Sequence, residues 1–311
     1  MSEFWKFGPP LPEAEPIASS SDPDWQQARP DAIARALELA LGRPHGNWYV
    51  VDATRRIGRK ARHFRIMGRD LVAWRAGSET VVTPEACPHM GASLDGAMVR
   101  GDAVVCPWHG LELCKTGHGN WKPFDVHDDG VLTWVRIGDP DPAVPEPVLP
   151  ERPTDFLEGT VRLEANCDPE DVIANRLDPW HGTHFHPYSF ASLKVMDLDE
   201  DSITVRVAKR LIGKLVVETD AKFFSPEPRS IVMTILEGEG QGSVVETHAA
   251  PIEDGRTAIV ETTLATSGRE GFKHALKVNR LIRPFIERSA RRLWVDDVAY
   301  AERLYALRNR S

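Results

Sequence analysis

Four side chains in the first half of the sequence have the types and spacing of metal ligands. Cys87 and His89 stand two apart; sixteen residues later, Cys106 and His109 stand three apart. Two thiolates and two imidazoles satisfy zinc, and structural zinc sites space each ligand pair by two to four residues. Zinc, however, most often pairs Cys with Cys and His with His. Here each pair supplies one of each. That mixture suits a two-iron cluster in which one iron takes both thiolates and the other both imidazoles. Pro88, Gly91, Pro107 and Gly110 make each ligand loop a tight turn, as backbone folded closely around a cluster requires.

The quoted stretches CPHMGASL and CPWHGLEL resemble the Rieske [2Fe–2S] domain. The resemblance implies Cys87, His89, Cys106 and His109 as cluster ligands. The extra cysteines of respiratory Rieske proteins have no counterpart in these loops, which implies the oxygenase or ferredoxin type. Cys114 reads as an ordinary core thiol and His118 as a solvated loop residue.

A second group lies in NRLDPWHGTHFHP, residues 175 to 187, with three histidines within six positions. Pro179 cannot donate a helical hydrogen bond and Gly182 is a natural terminator. A helix ending near Gly182 would leave His181 on its last turn and His186 on the returning chain, both able to face one ion. The segment matches, residue by residue, the Asp-x-x-His-x4-His pattern of Rieske non-haem iron oxygenases, at Asp178, His181 and His186. His184 is then a pocket or supporting residue.

Two imidazoles need a carboxylate to complete the facial triad of a non-haem Fe(II) site. The family draws it from a helix near the C-terminus, where this chain offers Asp296 and Asp297. An apolar stripe through Ile282, Ile286, Leu293, Tyr300 and Leu304 puts Asp297 about 40° from its centre and Asp296 about 60° away on the other side. Asp297 is the expected ligand, and Glu302 fits the family's acid five residues on.

The resemblance to the terminal oxygenase subunit of these systems implies one [2Fe–2S] cluster and one mononuclear Fe(II) per chain, and a homotrimer. In it, Asp178 would bridge a cluster histidine of one copy to the iron site of the next. It also implies O2 and a small hydrophobic substrate, to be hydroxylated, dihydroxylated or demethylated. Electrons would come from NAD(P)H through a separate ferredoxin or flavin reductase, since no Gly-rich dinucleotide fingerprint follows a strand. Phe185, Phe190, Phe223, Phe224 and Met233 are candidate pocket residues. The alternative from the residues alone is a Rieske electron carrier whose second half only binds a ligand.

The elements that must position these residues fall into two kinds. WYVVDA, HFRIMG, DLVAWRA, AVVCPW and VLTWVRI are short, β-rich and bounded by Gly, Asp or Pro, which predicts an all-β module over residues 45–138. GDPDPAVPEPVLPERP contains repeated prolines and predicts a semi-stiff linker over 139–153. Residues 154–311 alternate long β-rich runs with helices at either end. They predict an α+β domain: an antiparallel sheet with helices on one face, which the resemblance implies to be of helix-grip type. Asp168 and Pro169 mark a helix start, and Asp254-Gly255 marks a hairpin. Residues 1–44 form an extension with one helix over PDAIARALELAL.

Charge and composition limit the function classes. A net charge of −8 over 311 residues, with no basic patch interleaved with aromatics, argues against nucleic acid. Four cysteines are no disulfide framework. No apolar run reaches membrane-span length and MSEFWKFGPP has no secretory core, so a cytoplasmic protein is expected.

Overall fold

The computed structural model describes residues 29–210 and 216–310. Most of the expected N-terminal extension, including MSEFWKFGPP, lies outside these residues, as do the adjoining ends of two of the expected strands. The described chain begins with α1 (Pro30–Leu41), the helix expected over that stretch, ended by Gly42.

The first half is built from nine short strands. These are β1 (Trp48–Ala53), β2 (Arg62–Ile66), β3 (Arg69–Ala76), β4 (Glu79–Pro84), β5 (Val99–Arg100), β6 (Ala103–Val105), β7 (Glu112–Cys114), β8 (Val126–Asp128) and β9 (Leu132–Arg136). They pair as three antiparallel sheets of three: β1-β9-β8, β2-β3-β4 and β5-β6-β7. Two apolar clusters fill the space between the sheets, one around Trp74 and Leu113 and one around Phe64 and Leu71.

The second half is one seven-stranded antiparallel sheet in the order β10-β16-β15-β14-β13-β12-β11. Its strands are β10 (Leu157–Ala165), β11 (Phe190–Leu198), β12 (Ser202–Arg210), β13 (Val216–Glu227), β14 (Ser230–Gly238), β15 (Val244–Glu253) and β16 (Arg256–Ala265). Between β10 and β11 come α2 (Pro169–Arg176) and a one-turn helix, α3 (Gly182–Phe185); after β16 come α4 (Phe272–Lys277) and α5 (Asn279–Arg308). The Asp254-Gly255 turn joins β15 to β16 as expected, with Gly255 at φ +69°.

Side chains alternate across a strand, and β15 and β16 use both faces. Ala249 and Ile259 pack with Ile173, Leu177 and Trp294 under the helices. Ala250, Ile252, Ala258 and Val260 pack with Trp48, Leu132 and Trp134 of the first half. With both faces covered, these strands read as nearly continuous apolar runs rather than alternating ones. The sheet is therefore the partition between the cluster-motif half and the helices.

Polar contacts fix this stacking. Arg55 pairs with Glu158 at 2.6 Å and also reaches Glu287 of α5. The backbone N–H groups of Met67 and Gly68 donate to Pro251 and Ile252, both at 2.8 Å. Residues 137–156 form no strand or helix. They are tied down rather than a free spacer: Val144 is buried, and Arg152 grips Glu246 at 2.5 and 2.8 Å and Asp129 at 3.0 Å.

α5 lies against β10, where Gly159 permits close approach. A Cβ there would meet Ile286 Cγ2 at 2.5 Å. The expected stripe on this helix needs correction. The fully buried positions are Ala290, Trp294, Asp297 and Ala301, while Leu293, Tyr300 and Leu304 are only half-buried. The buried face is rotated by about 70° from the predicted centre: Trp294 and two alanines, rather than the expected Leu293, Tyr300 and Leu304, sit deepest.

Candidate metal centres

The two cluster-motif loops are built alike. Cys87 N–H donates to Ala92 O at 2.8 Å, and Cys106 N–H to Leu111 O at 2.9 Å. Gly91 N–H returns to Cys87 O at 2.8 Å, and Gly110 N–H to Cys106 O at 2.9 Å. Both glycines take positive φ, +72° and +69°, a conformation costly for other residues. The loops bring the two pairs together. Cys87 and Cys106 are buried in the core cluster, while His89 and His109 are exposed, their rings 4.8 Å apart. Two inward thiols facing two outward imidazoles fit a cluster with one shielded and one accessible iron. Trp108 and Met90, next to these histidines in sequence, stand exposed. Cys114 is exposed rather than a core thiol, a correction that follows from its place on edge strand β7. His118 is exposed, as a solvated loop residue should be.

The second site starts at α2. Asp171 closes a capping box by accepting from Asp168 N–H at 3.0 Å, and Pro169 occupies the first turn. α2 stops at Arg176, and Pro179 opens a separate 3-10 turn, Pro179–His181, whose Trp180 N–H donates to Asp178 Oδ1 at 3.1 Å. The chain then turns again through α3. The helix thus breaks at Pro179, and Gly182 begins the next turn instead of ending the first. His181 sits on the 3-10 turn and His186 just past α3.

These breaks aim both imidazoles at α5. His181 Nε2 lies 3.2 Å and His186 Nε2 2.9 Å from the same atom, Asp297 Oδ1. Among the described residues, this trio is the group of three His, Cys, Asp or Glu side chains whose ligand atoms lie within 4.8 Å of one another. Each imidazole has an acid behind it. Asp178 Oδ2 faces His181 Nδ1 at 3.7 Å. Tyr188 OH lies 3.3 Å from His186 Nδ1 and donates to Asp296 Oδ2 at 2.6 Å. Asp296 is therefore a supporting group behind His186, on the far side from Asp297.

Burial disfavours a charged His181, but the carboxylates of Asp178 and Asp297 outweigh it and push its pKa up to about 9. Burial likewise opposes ionisation of Asp297, yet hydrogen bonds from His181 and His186, with the charge of Arg176, hold its carboxyl well below the usual carboxylate range. Three carboxylates, Asp178, Asp296 and Asp297, thus stand around the two imidazoles. With Nε2 of both rings and one carboxylate oxygen converging, and acids on the Nδ1 sides, the donor set fits a two-histidine, one-carboxylate metal site.

Three residues that the motifs did not single out complete the surroundings. Tyr300 OH donates to Asp178 Oδ2 at 3.1 Å, and Asn175 Nδ2 donates to Asp297 Oδ1 at 3.2 Å. Tyr188 is the third. Tyr300 is three positions from Asp297, so helical spacing alone could have flagged it; Tyr188 carries no such signal. His184 is exposed on α3. Glu302 lies away from the site and accepts from Asn166 N–H and Nδ2 at 2.8 and 3.0 Å.

Of the pocket candidates, Phe223 and Met233 are cross-strand partners packed with Trp180, Ile203, Val205 and Ala221. Phe224 is on the opposite face of β13. Phe190 and Phe185 edge His186, with ring centroids 6.2 and 5.2 Å away, though Phe185 is itself exposed.

The comparisons with known proteins agree with these two halves. The Rieske [2Fe-2S] domain family matches residues 47–132, and the family described as "Domain of unknown function (DUF5914)" matches residues 138–311. The chain belongs to the DUF5914 family and carries a Rieske domain ahead of it. It is similar to the vanillate O-demethylase oxygenase subunit of Pseudomonas sp. (strain HR199), 27% identical over 53% of this chain and 50% of that one. It is also similar to the chloroacetanilide N-alkylformylase oxygenase component of Rhizorhabdus wittichii, 30% identical over 41% and 42%. The chain thus spans about half the length of the curated relatives it matches. In fold it is similar to dicamba monooxygenase bound to dicamba, with a TM-score of 0.63 at 16% identity, over 85% of this chain and 88% of that one. The α+β arrangement, a Rieske β domain followed by an antiparallel sheet with helices, is the one expected. No described helix is long and apolar enough to cross a membrane.

Proposed function

We propose that the chain is the terminal oxygenase of a Rieske-type system. It uses O2 and externally supplied electrons to hydroxylate, dihydroxylate or demethylate a hydrophobic small molecule: an aromatic, steroid or isoprenoid compound. The observation that carries this reading is the convergence of His181 and His186 on Asp297 Oδ1, in a chain that also carries a Rieske domain. The names of the relatives, an O-demethylase among them, favour demethylation within that range.

In this reading Cys87, His89, Cys106 and His109 hold one [2Fe–2S] cluster, and His181, His186 and Asp297 hold one Fe(II). Iron held by two imidazoles and one carboxylate would supply the one-electron chemistry with O2 that side chains lack.

The chain's own groups set the conditions. Asp178 faces His181 Nδ1 and so leaves Nε2 as the donor. Tyr300 steadies Asp178 by hydrogen bonding to it, and Tyr188 with Asp296 does the same service for His186. Asn175 fixes Asp297 through Oδ1. Trp180, the neighbour of His181 in sequence, packs with Ile203, Phe223 and Met233 in one apolar cluster. Asp178 is also assigned as the link to a cluster imidazole of a neighbouring copy in a homotrimer. Electrons are assigned to NAD(P)H through a separate ferredoxin or flavin reductase, and the exposed His89 and His109 permit such an approach. A cytoplasmic location goes with these partners.

The test is substrate-dependent O2 uptake by holoenzyme supplied with NADH, a ferredoxin and its reductase, across a panel of aromatic, steroid and isoprenoid compounds under 18O2. The reading expects product formation dependent on O2, with 18O in the product on hydroxylation, abolished in Asp297→Asn. A cluster that cycles normally while the iron-loaded protein consumes no O2 with any of them would reduce the chain to an electron carrier.

A further inference from the structure

The segment formed by α4 and the first half of α5 differs in charge from the rest of the chain. Residues 269–292 contain eight Lys or Arg against two Glu, in a protein whose net charge is −8. Two of these cations are engaged as ion pairs: Arg269 holds Glu239 at 2.6 Å, and Arg283 faces Glu158 at 3.8 Å. Of the two acids, Glu287 is turned inward against Arg55 and Arg56. Lys273, Lys277, Arg280 and Arg288 are exposed, and none forms an ion pair among the described residues.

Beside these cations an apolar ridge runs along α5. Val278, Leu281 and Phe285 follow one another at i, i+3 and i+7, on one side of the helix. Leu281 is 71% and Phe285 75% exposed, the two most exposed of the large apolar side chains among the described residues. About a quarter-turn round the helix from this ridge, Ile286 packs against Gly159 of β10, and Ile282 is half-buried. The helix is thus held by one flank and presents an apolar ridge flanked by cations on the adjacent one.

We propose that this face docks the protein on an anionic lipid surface, with Val278, Leu281 and Phe285 entering the headgroup–acyl boundary and Lys273, Lys277, Arg280 and Arg288 pairing with lipid phosphates. The charge pattern and the ridge geometry select this occupant. A basic amphipathic helix lying in the interface plane inserts its apolar side chains about 5–10 Å, which matches protruding side chains better than it matches the flat, shaped core of a protein interface. Long Lys and Arg side chains beside such a ridge reach headgroups while their stems stay apolar. The overall negative charge does not oppose docking, because charges beyond about 8 Å are screened at physiological salt. Docking is peripheral, needs no spanning helix, and is independent of the oxygenase reading.

The test is co-sedimentation of the full-length holoprotein with vesicles of equal parts phosphatidylcholine and phosphatidylglycerol, beside phosphatidylcholine alone. The expected result is binding to the anionic vesicles, weakened by salt and absent with phosphatidylcholine. Leu281→Ser/Phe285→Ser should lose it, with the oligomeric state by light scattering unchanged. Should that variant fail to fold, Lys277→Gln/Arg280→Gln should bind on the order of tenfold more weakly. No binding of the wild type at low salt overturns the proposal, as does undiminished binding of the variants. A variant whose oligomeric state changes instead would make the ridge an interface between copies and overturn it too.

Discussion

His186 and Asp297 stand 111 residues apart in sequence, yet His186 Nε2 and Asp297 Oδ1 are 2.9 Å apart with both side chains almost fully buried. A buried carboxylate without partners is costly, and this one is met by two imidazoles and an amide. Asp297→Asn should therefore keep the cluster but lose the mononuclear iron. Asp296→Asn should keep both, with weaker iron retention, on the order of 10- to 100-fold, for loss of a supporting group. Metal analysis of the two variants side by side checks this assignment.

Tyr300→Phe removes one hydrogen bond to Asp178 without altering shape. The expected cost is about 1 kcal/mol in urea unfolding, with iron content unchanged and turnover reduced. Asp178→Asn should likewise retain both metals and lose turnover; a fully active Asp178→Asn protein would remove Asp178 from the electron path.

Gly159→Ala tests how α5 is seated. The new Cβ would sit 2.5 Å from Ile286 Cγ2 and 2.8 Å from its Cβ. Either the helix or the strand must move, at about 1–3 kcal/mol. Since Asp297 rides on this helix, iron affinity should fall along with Tm, which separate melting and metal titration experiments would register.

The buried group at the junction of the two halves predicts acid sensitivity. Glu246 accepts from Arg152, and lies 3.2 Å from His248 Nε2; Ser230 Oγ is 2.7 Å from His248 Nδ1. Burial works against the charge of Glu246, but its bonds to His248 and Arg152 prevail and hold its pKa below the ordinary carboxylate value. The stability it contributes is then fully present above the unfolded pKa of about 4.3 and is lost as pH falls through the lower folded value. Glu246→Gln should cost about 3 kcal/mol at neutral pH and flatten the decline below pH 4–5. Urea titrations from pH 7 to 3 on both proteins measure the difference.

Much of this was legible in the sequence, for identifiable reasons. The cluster loops announce themselves because Cys, His, Pro and Gly each do something there that few residues can. β1 and α1 match the stretches expected for them, since WYVVDA and PDAIARALELAL carry strong local preferences. β11 was not legible: FASLKVMDL is an exposed edge strand with Lys and Asp along it, held by β12 rather than by its own pattern. The buried face of α5 was misread because Ala290 and Ala301, small enough to pack against neighbouring elements, outrank Leu293 in depth. The roles of Tyr188 and of Asp296 behind His186 depend on where the break at Pro179 sends the chain, which is a tertiary outcome.

The most direct test of the central claim is iron and acid-labile sulfide per chain in protein purified without oxygen, with an EPR spectrum after reduction. Two centres on one chain predict about three irons and two sulfides with a Rieske-type signal, falling to about two irons in Asp297→Asn. Two irons and two sulfides in the wild type, unchanged on adding Fe(II), would contradict the assignment of His181, His186 and Asp297 as a metal site.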